Sequence, residues 1–432
     1  MSEFELSRMF IALLCLLGAA HAFGYACVQL RMPRVIGEIM GGLLLGPSLL
    51  GFFLPDFQNS IFHAFPAEKQ VLSAFYWIGL IALMFISGFR IQRRLDRKDA
   101  SLAGIIILAA TGLPFLAGWV APYLFEFAPY AGPNGDGLPL TLIIAIAFSV
   151  TSIPIISKIF LDLQIIETRF ARIVLAAATT QDLVLWIGLS VATGIAHGNA
   201  ADPVTLATTI LKTLMFIGLA LVFGPRLLDR ATRMRFNLIR KASLTGYLFV
   251  ICFLLVAIAN LLSINLVFGA LVAGMVVGAV PNEEFTAVKE QISNISTGLF
   301  VPIYFALVGL RIDLPNHLDI GFTAGFITIS SLIEIGCVVI ATRLTGRNML
   351  TSLNFGFAMN TRGGPGIVLA SIALGAGIIN ETFYVTLVLA ALVTSLFSGM
   401  WFRWLLTRGL PLIESDKPAR LLEREHPASR KG

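Results

Sequence analysis

Thirteen apolar stretches, joined mostly by short connections, take up most of this chain, and few folds accommodate that pattern. They fall near 9–30, 33–50, 71–92, 101–125, 139–161, 169–196, 204–229, 243–264, 266–281, 296–313, 320–344, 349–374 and 381–407. Numbered in order, they read as membrane spans one to thirteen. Lipid offers no partner for a backbone N–H or C=O, so a spanning segment must be a helix or a strand of a closed barrel. A barrel would show short segments alternating in hydrophobicity, and none occur. The expected fold is therefore all-α and polytopic, with about thirteen transmembrane helices. Composition excludes the soluble classes: 57% of residues are hydrophobic, 13% charged, and the mean hydropathy is +0.85. Soluble chains carry about 25% charged residues.

The four cysteines, Cys15, Cys27, Cys252 and Cys337, lie inside apolar runs and form neither a disulfide framework nor a metal-ligand pattern. No cofactor and no resident metal are expected. The net charge of +6 belongs to loop Lys and Arg and is not read as a nucleic-acid surface. The run from Met9 is a first span rather than a removable signal, because it is long and lacks a small-residue cleavage pattern. The tail after Arg408 is short and charged, is expected to be disordered, and no soluble domain is expected after the last span.

Basic residues set the orientation. Of the 31 Lys and Arg, 26 fall at the exits of odd-numbered spans, among them Arg31 and Arg34, Arg90 to Lys98, and Arg226 to Lys241. Positive charge stays in the cytoplasm, which puts the N-terminus outside and the C-terminus inside a cell (inner) membrane.

The chain repeats itself. Gly37, Gly42 and Gly46 of span two match Gly269, Gly274 and Gly278 of span nine at a constant offset of 232. Ser87-Gly88-Phe89-Arg90-Ile91 of span three matches Val308-Gly309-Leu310-Arg311-Ile312 of span ten at an offset of 221. Thr151-Ser152-Ile153-Pro154 of span five matches Arg362-Gly363-Gly364-Pro365 of span twelve at an offset of 211. Each partner lies seven spans later, an odd number, so the halves are inverted. Inverted repeats that bind at their interface are a transporter pattern. The division expected is a first repeat over 1–198, a linker helix and basic loop over 199–242, a second repeat over 243–408, and a tail over 409–432.

Spans five and twelve carry breakers at mid-depth. A proline removes a helical hydrogen bond and clashes with the preceding turn, and Gly363 and Gly364 weaken the second helix further. Unwound backbone survives in a membrane only where protein buries it or where it lines a cavity. Ser149, Thr151 and Ser152 bring hydroxyls to one break; Asn360, Thr361 and Arg362 bring polar atoms to the other. The half-helix ends add partial charges of both signs. The bland reading is two proline kinks without function.

Thr179-Thr180-Gln181-Asp182 interrupts the apolar run from Phe170 to Ala196. A carboxylate near the middle of a bilayer helix costs about 2.5 to 3.5 kcal/mol on insertion scales, and such residues usually mark an ion or proton pathway. The rival reading is a carboxylate protonated or paired for packing alone. The other buried ionisable groups are Arg362, Glu334 of span eleven and Glu38 of span two. Glu38 lies within two turns of Arg31 and Arg34, which suits a pairing or a gating role. His21 is read as an interhelical packing residue, and His63, His197 and His317 as solvated loop residues.

These residues together resemble the cation:proton antiporter family that includes Kef-type potassium/proton and related sodium/proton exchangers. The resemblance rests on Pro33-Arg34-Val35-Ile36-Gly37-Glu38 through Gly46-Pro47-Ser48-Leu49-Leu50-Gly51, and on the Thr-Ser-x-Pro break at 151–154. It rests also on Gln181-Asp182, Val308-Gly309-Leu310-Arg311-Ile312-Asp313 and Asn360-Thr361-Arg362-Gly363-Gly364. It implies a six-helix core with two crossing broken helices, a separate dimerisation domain and hence a homodimer, alternating access by core movement, and an aspartate at 182 that holds a proton or a cation. This chain departs from the family pattern at Gln181, where sodium exchangers often have Asp or Asn. It departs again at Glu334, which falls by its spacing to Arg343 where many members have lysine. The nucleotide-binding regulatory domain of Kef proteins is not found in this sequence.

The leading function is a secondary antiporter exchanging a monovalent cation, sodium or potassium, for protons, with Asp182 as shared carrier and Thr151, Ser152 and Gln181 as neutral oxygen ligands. If Glu334 pairs permanently with Arg362, Asp182 alone titrates and exchange is one-for-one; if Arg362 instead swings to the empty Asp182 while Glu334 takes up its own proton, two protons move per cation and exchange feels the membrane potential. The alternative is a cation-coupled symporter in which Arg362 holds an organic anion. An intramembrane enzyme finds no His-Glu-x-x-His, paired catalytic aspartates or reactive cysteine setting.

Overall fold

A computed structural model describes residues 2–30, 32–89, 97–196, 203–234, 236–262, 264–280 and 283–414. Arg31, Arg90, Ile91, Arg93, Arg94, His197 and the tail from 415 to 432 lie outside the described residues.

The described residues form helices and no named strand, and the helices follow the thirteen apolar stretches. Ten are long and apolar enough to cross a membrane. They include span one (Glu3–Gln29), span three (Glu68–Phe89), span six (Arg169–Ala196), span eleven (Ile320–Leu344) and span thirteen (Glu381–Thr407). The remaining three are span nine, a short apolar helix at Leu266–Gly278, and the two broken helices.

Span one starts at Glu3, earlier than hydropathy alone suggests. Glu5 N donates to Ser2 Oγ (3.2 Å) and Ser2 N to Glu5 Oε2 (2.8 Å), a reciprocal cap that extends the helix past the apolar run. Two π-helical turns were not anticipated: Leu108–Gly112 in span four and Ser296–Phe300 in span ten. A proline follows each, Pro114 and Pro302. A proline has no N–H for the carbonyl four residues back and clashes with it, so the helix widens there. Those two carbonyls are met from other helices: Gln181 Nε2 donates to Ala110 O (3.2 Å), and His21 Nε2 lies 2.9 Å from Gly298 O. His21 is thus the interhelical residue expected.

The helices sort into two bundles. Spans four, five, six, eleven, twelve and thirteen pack on one another, and so do spans one, two, three, eight, nine and ten. Span seven (Pro203–Arg233) touches spans six and nine. The second bundle carries the repeat in its contacts. At Gly42 a Cβ would overlap the Ala306 carbonyl, and at its repeat mate Gly274 it would overlap that of Phe85. A Cβ at Gly309 would overlap the Ile39 carbonyl, and one at Gly88 would meet that of Leu271. Each contact maps onto the other under the sequence offsets, so the two halves cross through the same glycine seam. Gly42→Val and Gly274→Val are each expected to lower stability by about 1 to 3 kcal/mol. Thermal unfolding in detergent checks this, and unequal losses would show that the seam is not symmetric.

The tail differs from expectation over residues 409–414. Leu412 and Ile413 are 2% and 1% exposed and join the apolar core of the first bundle. Leu410-Pro411-Leu412-Ile413 is an apolar run that a tail-wide charge count conceals.

Candidate functional site

Span five stops at Phe148 and resumes at Ile153–Asp162; span twelve stops at Met359 and resumes at Gly363–Gly375. The prolines do not sit inside helices. Pro154 is the second residue of its restarted half and Pro365 the third, where an N–H has no intrahelical partner to lose. What unwinds each helix is the polar stretch before the proline. The two unwound stretches meet. Ser152 N donates to Thr361 O (2.5 Å). Ser152 Oγ caps both restarted helices, accepting from Ile155 N (3.3 Å) and Gly364 N (3.0 Å). Gly363 has φ +22°, and a Cβ there would overlap Ile155. Thr151 Oγ1 donates to Met359 O, the last carbonyl of the first half of span twelve.

Beside this crossing lies Asp182. It is 5% exposed and lines a small cavity with Val150, Leu185, Trp186, Pro365 and Leu369 among its walls. The cavity thus lies between both broken helices and span six. Its walls are apolar except for the carboxylate, whose Oδ1 has no hydrogen-bond partner among the described residues. Gln181, fully buried next to it, donates Nε2 to Ser149 O and to Ala110 O, tying the first break to the widened turn of span four. Gln181 Oε1 and Asn360 Oδ1 are likewise buried without partners among the described residues. An unmet buried acceptor costs about 1 to 3 kcal/mol, and a cation satisfies oxygens of this kind.

A second cluster lies on the span eleven side. Arg362 Nη2 is 3.3 Å from Glu334 Oε2, with the side chains 2% and 0% exposed. Arg362 Nη1 also donates to Ser330 Oγ (2.6 Å), and Thr151 Oγ1 is 3.5 Å from Glu334 Oε1. The structure therefore brings Asp182, Gln181, Pro365 and the breaks together, and places Thr151 with Glu334 rather than in the cavity wall. Ser152 spends both lone pairs on helix N–H groups. Glu38 stands in the other bundle, 2.8 Å from Arg34 Nε, and Arg34 Nη2 reaches His21 Nδ1 at 2.5 Å. That is the pairing arrangement. Ser330 was missed by sequence reasoning, although its place four residues before Glu334 puts both on one helical face.

A bundle of apolar helices in which two broken helices cross beside a buried carboxylate is an arrangement that ion-coupled transporters use. The chain belongs to the sodium/hydrogen exchanger transmembrane family, whose model matches residues 9–408. It is 25% identical over 429 residues to Cation/H(+) antiporter 17 of Arabidopsis thaliana, covering 98% of this chain and 51% of that one. The chain thus spans about half the length of that relative. It is also 25% identical over 394 residues to the Na(+)/H(+) antiporter NhaS4 of Synechocystis, covering 90% of this chain and 94% of the relative. Among solved structures, the fold resembles the sodium proton antiporter MjNhaP1 of Methanocaldococcus jannaschii, with a TM-score of 0.62 at 14% identity, covering 93% and 97% of the two chains.

Proposed function

We propose that this protein is a secondary antiporter that exchanges a monovalent cation, sodium or potassium, for protons by alternating access, with Asp182 as the shared site. One observation carries the reading: Asp182 lines the cavity at the helix crossing with an oxygen that has no partner among the described residues, while Glu334 and Arg362 are paired with each other. Gln181 Oε1 and Asn360 Oδ1 are the neutral oxygens best free to join it. A proton on one stroke and a cation on the other leave Asp182 equally neutral, so exchange is one-for-one. The relatives named as cation/proton and sodium/proton antiporters support the same chemistry. The symport reading loses ground because Arg362 is already held by Glu334 and Ser330.

The rest of the reading is that the protein is a homodimer in an inner membrane with its N-terminus outside and C-terminus cytoplasmic. The repeats are those read from the sequence, 1–198 and 243–408, joined by span seven. The test uses liposomes holding a pH dye. Sodium or potassium alone is expected to drive proton movement, at the same initial rate at zero and at a large inside-negative potential. One net charge per cycle would feel about 2.3 kcal/mol per 100 mV, so a clear rate difference would contradict one-for-one exchange. A requirement for an organic anion would contradict antiport.

A further inference from the structure

The segment after span thirteen turns back along the first half of span twelve, Met349–Met359. Gly409 makes the turn at φ +64°, the left-handed conformation glycine supplies at helix ends. From there the chain is bonded to the start of the half-helix, at Asn348, Thr351 and Asn354. Asn354, fully buried, donates Nδ2 to Leu412 O (2.9 Å) and Pro411 O (3.4 Å), and its Oδ1 accepts from Trp401 Nε1 (2.9 Å). Glu414 N donates to Thr351 Oγ1 (3.1 Å). The Glu414 carboxylate accepts from Asn348 N (2.6 Å) and lies 3.3 Å from Arg347 Nη1. A carboxylate at that spot complements both the free N–H groups and the positive end of the helix.

The other end of this half-helix is the site. Met359 O accepts from Thr151, and Asn360, Thr361 and Arg362 follow directly. Because span twelve is broken, its second half cannot hold the first one lengthwise. Apolar packing is non-directional; side-chain bonds hold the inner end, from Thr151 Oγ1 to Met359 O and from Ser398 Oγ to Phe357 O (2.7 Å), and the strap holds the other. Hydrogen bonds fix the position, since they weaken steeply with distance and angle. An α-helix of 11 residues is a stiff rod about 16 Å long, so a shift at Asn348 reappears at Met359.

We propose that Asn354 and Glu414 are positioning residues for exchange: the strap Leu410–Glu414 sets where the first half of span twelve ends, and so where Asn360 and Arg362 stand. This rests on the antiport reading for its transport consequence, but not for its structural one. The variants are Asn354→Leu, Glu414→Gln and the conservative Glu414→Asp. In liposomes, Asn354→Leu and Glu414→Gln are expected to lower the initial exchange rate about tenfold at saturating cation and to shift its pH profile. Glu414→Asp recovers part of the rate. In detergent, backbone hydrogen exchange is expected to rise at 349–359 and also at both breaks, 149–152 and 360–364, while the melting temperature stays within a few degrees of wild type. A rise confined to 409–414, or rates that fall only in step with stability at an unchanged pH profile, would overturn the proposal. If Asn354→Leu does not fold, Glu414→Gln decides alone, because Glu414 lies at the rim with its side chain 29% exposed. Hydrogen exchange needs no transport. A wild-type protein that moves no protons with sodium or potassium would therefore sink the functional reading, while the exchange pattern would still decide whether the strap sets the half-helix.

Discussion

Asp182→Asn is expected to abolish cation:proton exchange, by about a hundredfold or more, while expression and melting temperature stay at or above wild-type values. The amide has the shape of the carboxylate, so the cavity walls at Val150, Leu185 and Trp186 need not move. Oδ1 has no partner to lose among the described residues. A neutral amide is also cheaper to bury than an ionised carboxylate. What disappears is the ability to hold a proton in one state and a cation in the other. Initial rates in liposomes, normalised to protein inserted, check the first half of the statement, and thermal unfolding in detergent checks the second. A variant that exchanged at the wild-type rate would make Asp182 a packing residue.

The second large effect concerns the Glu334–Arg362 pair, and it is asymmetric. Glu334→Ala leaves a buried guanidinium beside Ser330 with no carboxylate partner among the described residues, and a guanidinium does not shed its proton. Breaking a buried pair in this way costs about 3 to 5 kcal/mol. Arg362→Met leaves a carboxylic acid instead. That group can take up a proton and keep its contact with Thr151, so a smaller loss is expected. The double change Glu334→Ala with Arg362→Met is expected to be milder than Glu334→Ala alone, since no charge is stranded. A double-mutant cycle on detergent melts measures all three. Function separates them again: Arg362→Met frees Glu334 to titrate, so its exchange is expected to become sensitive to membrane potential. Equal losses for the two single variants would mean that the pair is not held as a charged unit.

Much of this architecture was legible because lipid leaves so little choice. The thirteen spans follow from apolar length, and the inverted halves follow from glycine spacing. Those glycines proved informative for a physical reason: Gly42 and Gly274 sit where one helix backbone presses on another, so no side chain fits. Asp182 stood out because a carboxylate in an apolar run has few bland explanations. Less legible were features that depend on partners distant in sequence. The prolines at 154 and 365 looked like breakers and prove to be helix starters, the unwinding lying in the polar residues before them. Thr151 and Ser152 looked like ligands from their hydroxyls alone, and their contacts with backbone groups and, for Thr151, with Glu334 could not be read that way. The π turns could have been anticipated from Pro114 and Pro302, though which side chain would meet the displaced carbonyls could not. The strap at Leu410–Glu414 was hidden by the charge of the residues around it.

The shared site is tested most directly by counting protons. Purified protein in detergent, in weakly buffered solution near the midpoint of its pH profile, is titrated with sodium and then with potassium, and the protons released are measured. If Asp182 holds proton and cation in turn, the transported cation releases up to one proton per protein chain from the wild type, and none from Asp182→Asn. Equal release from both proteins, or cation binding by the wild type with no proton released, would contradict a shared site.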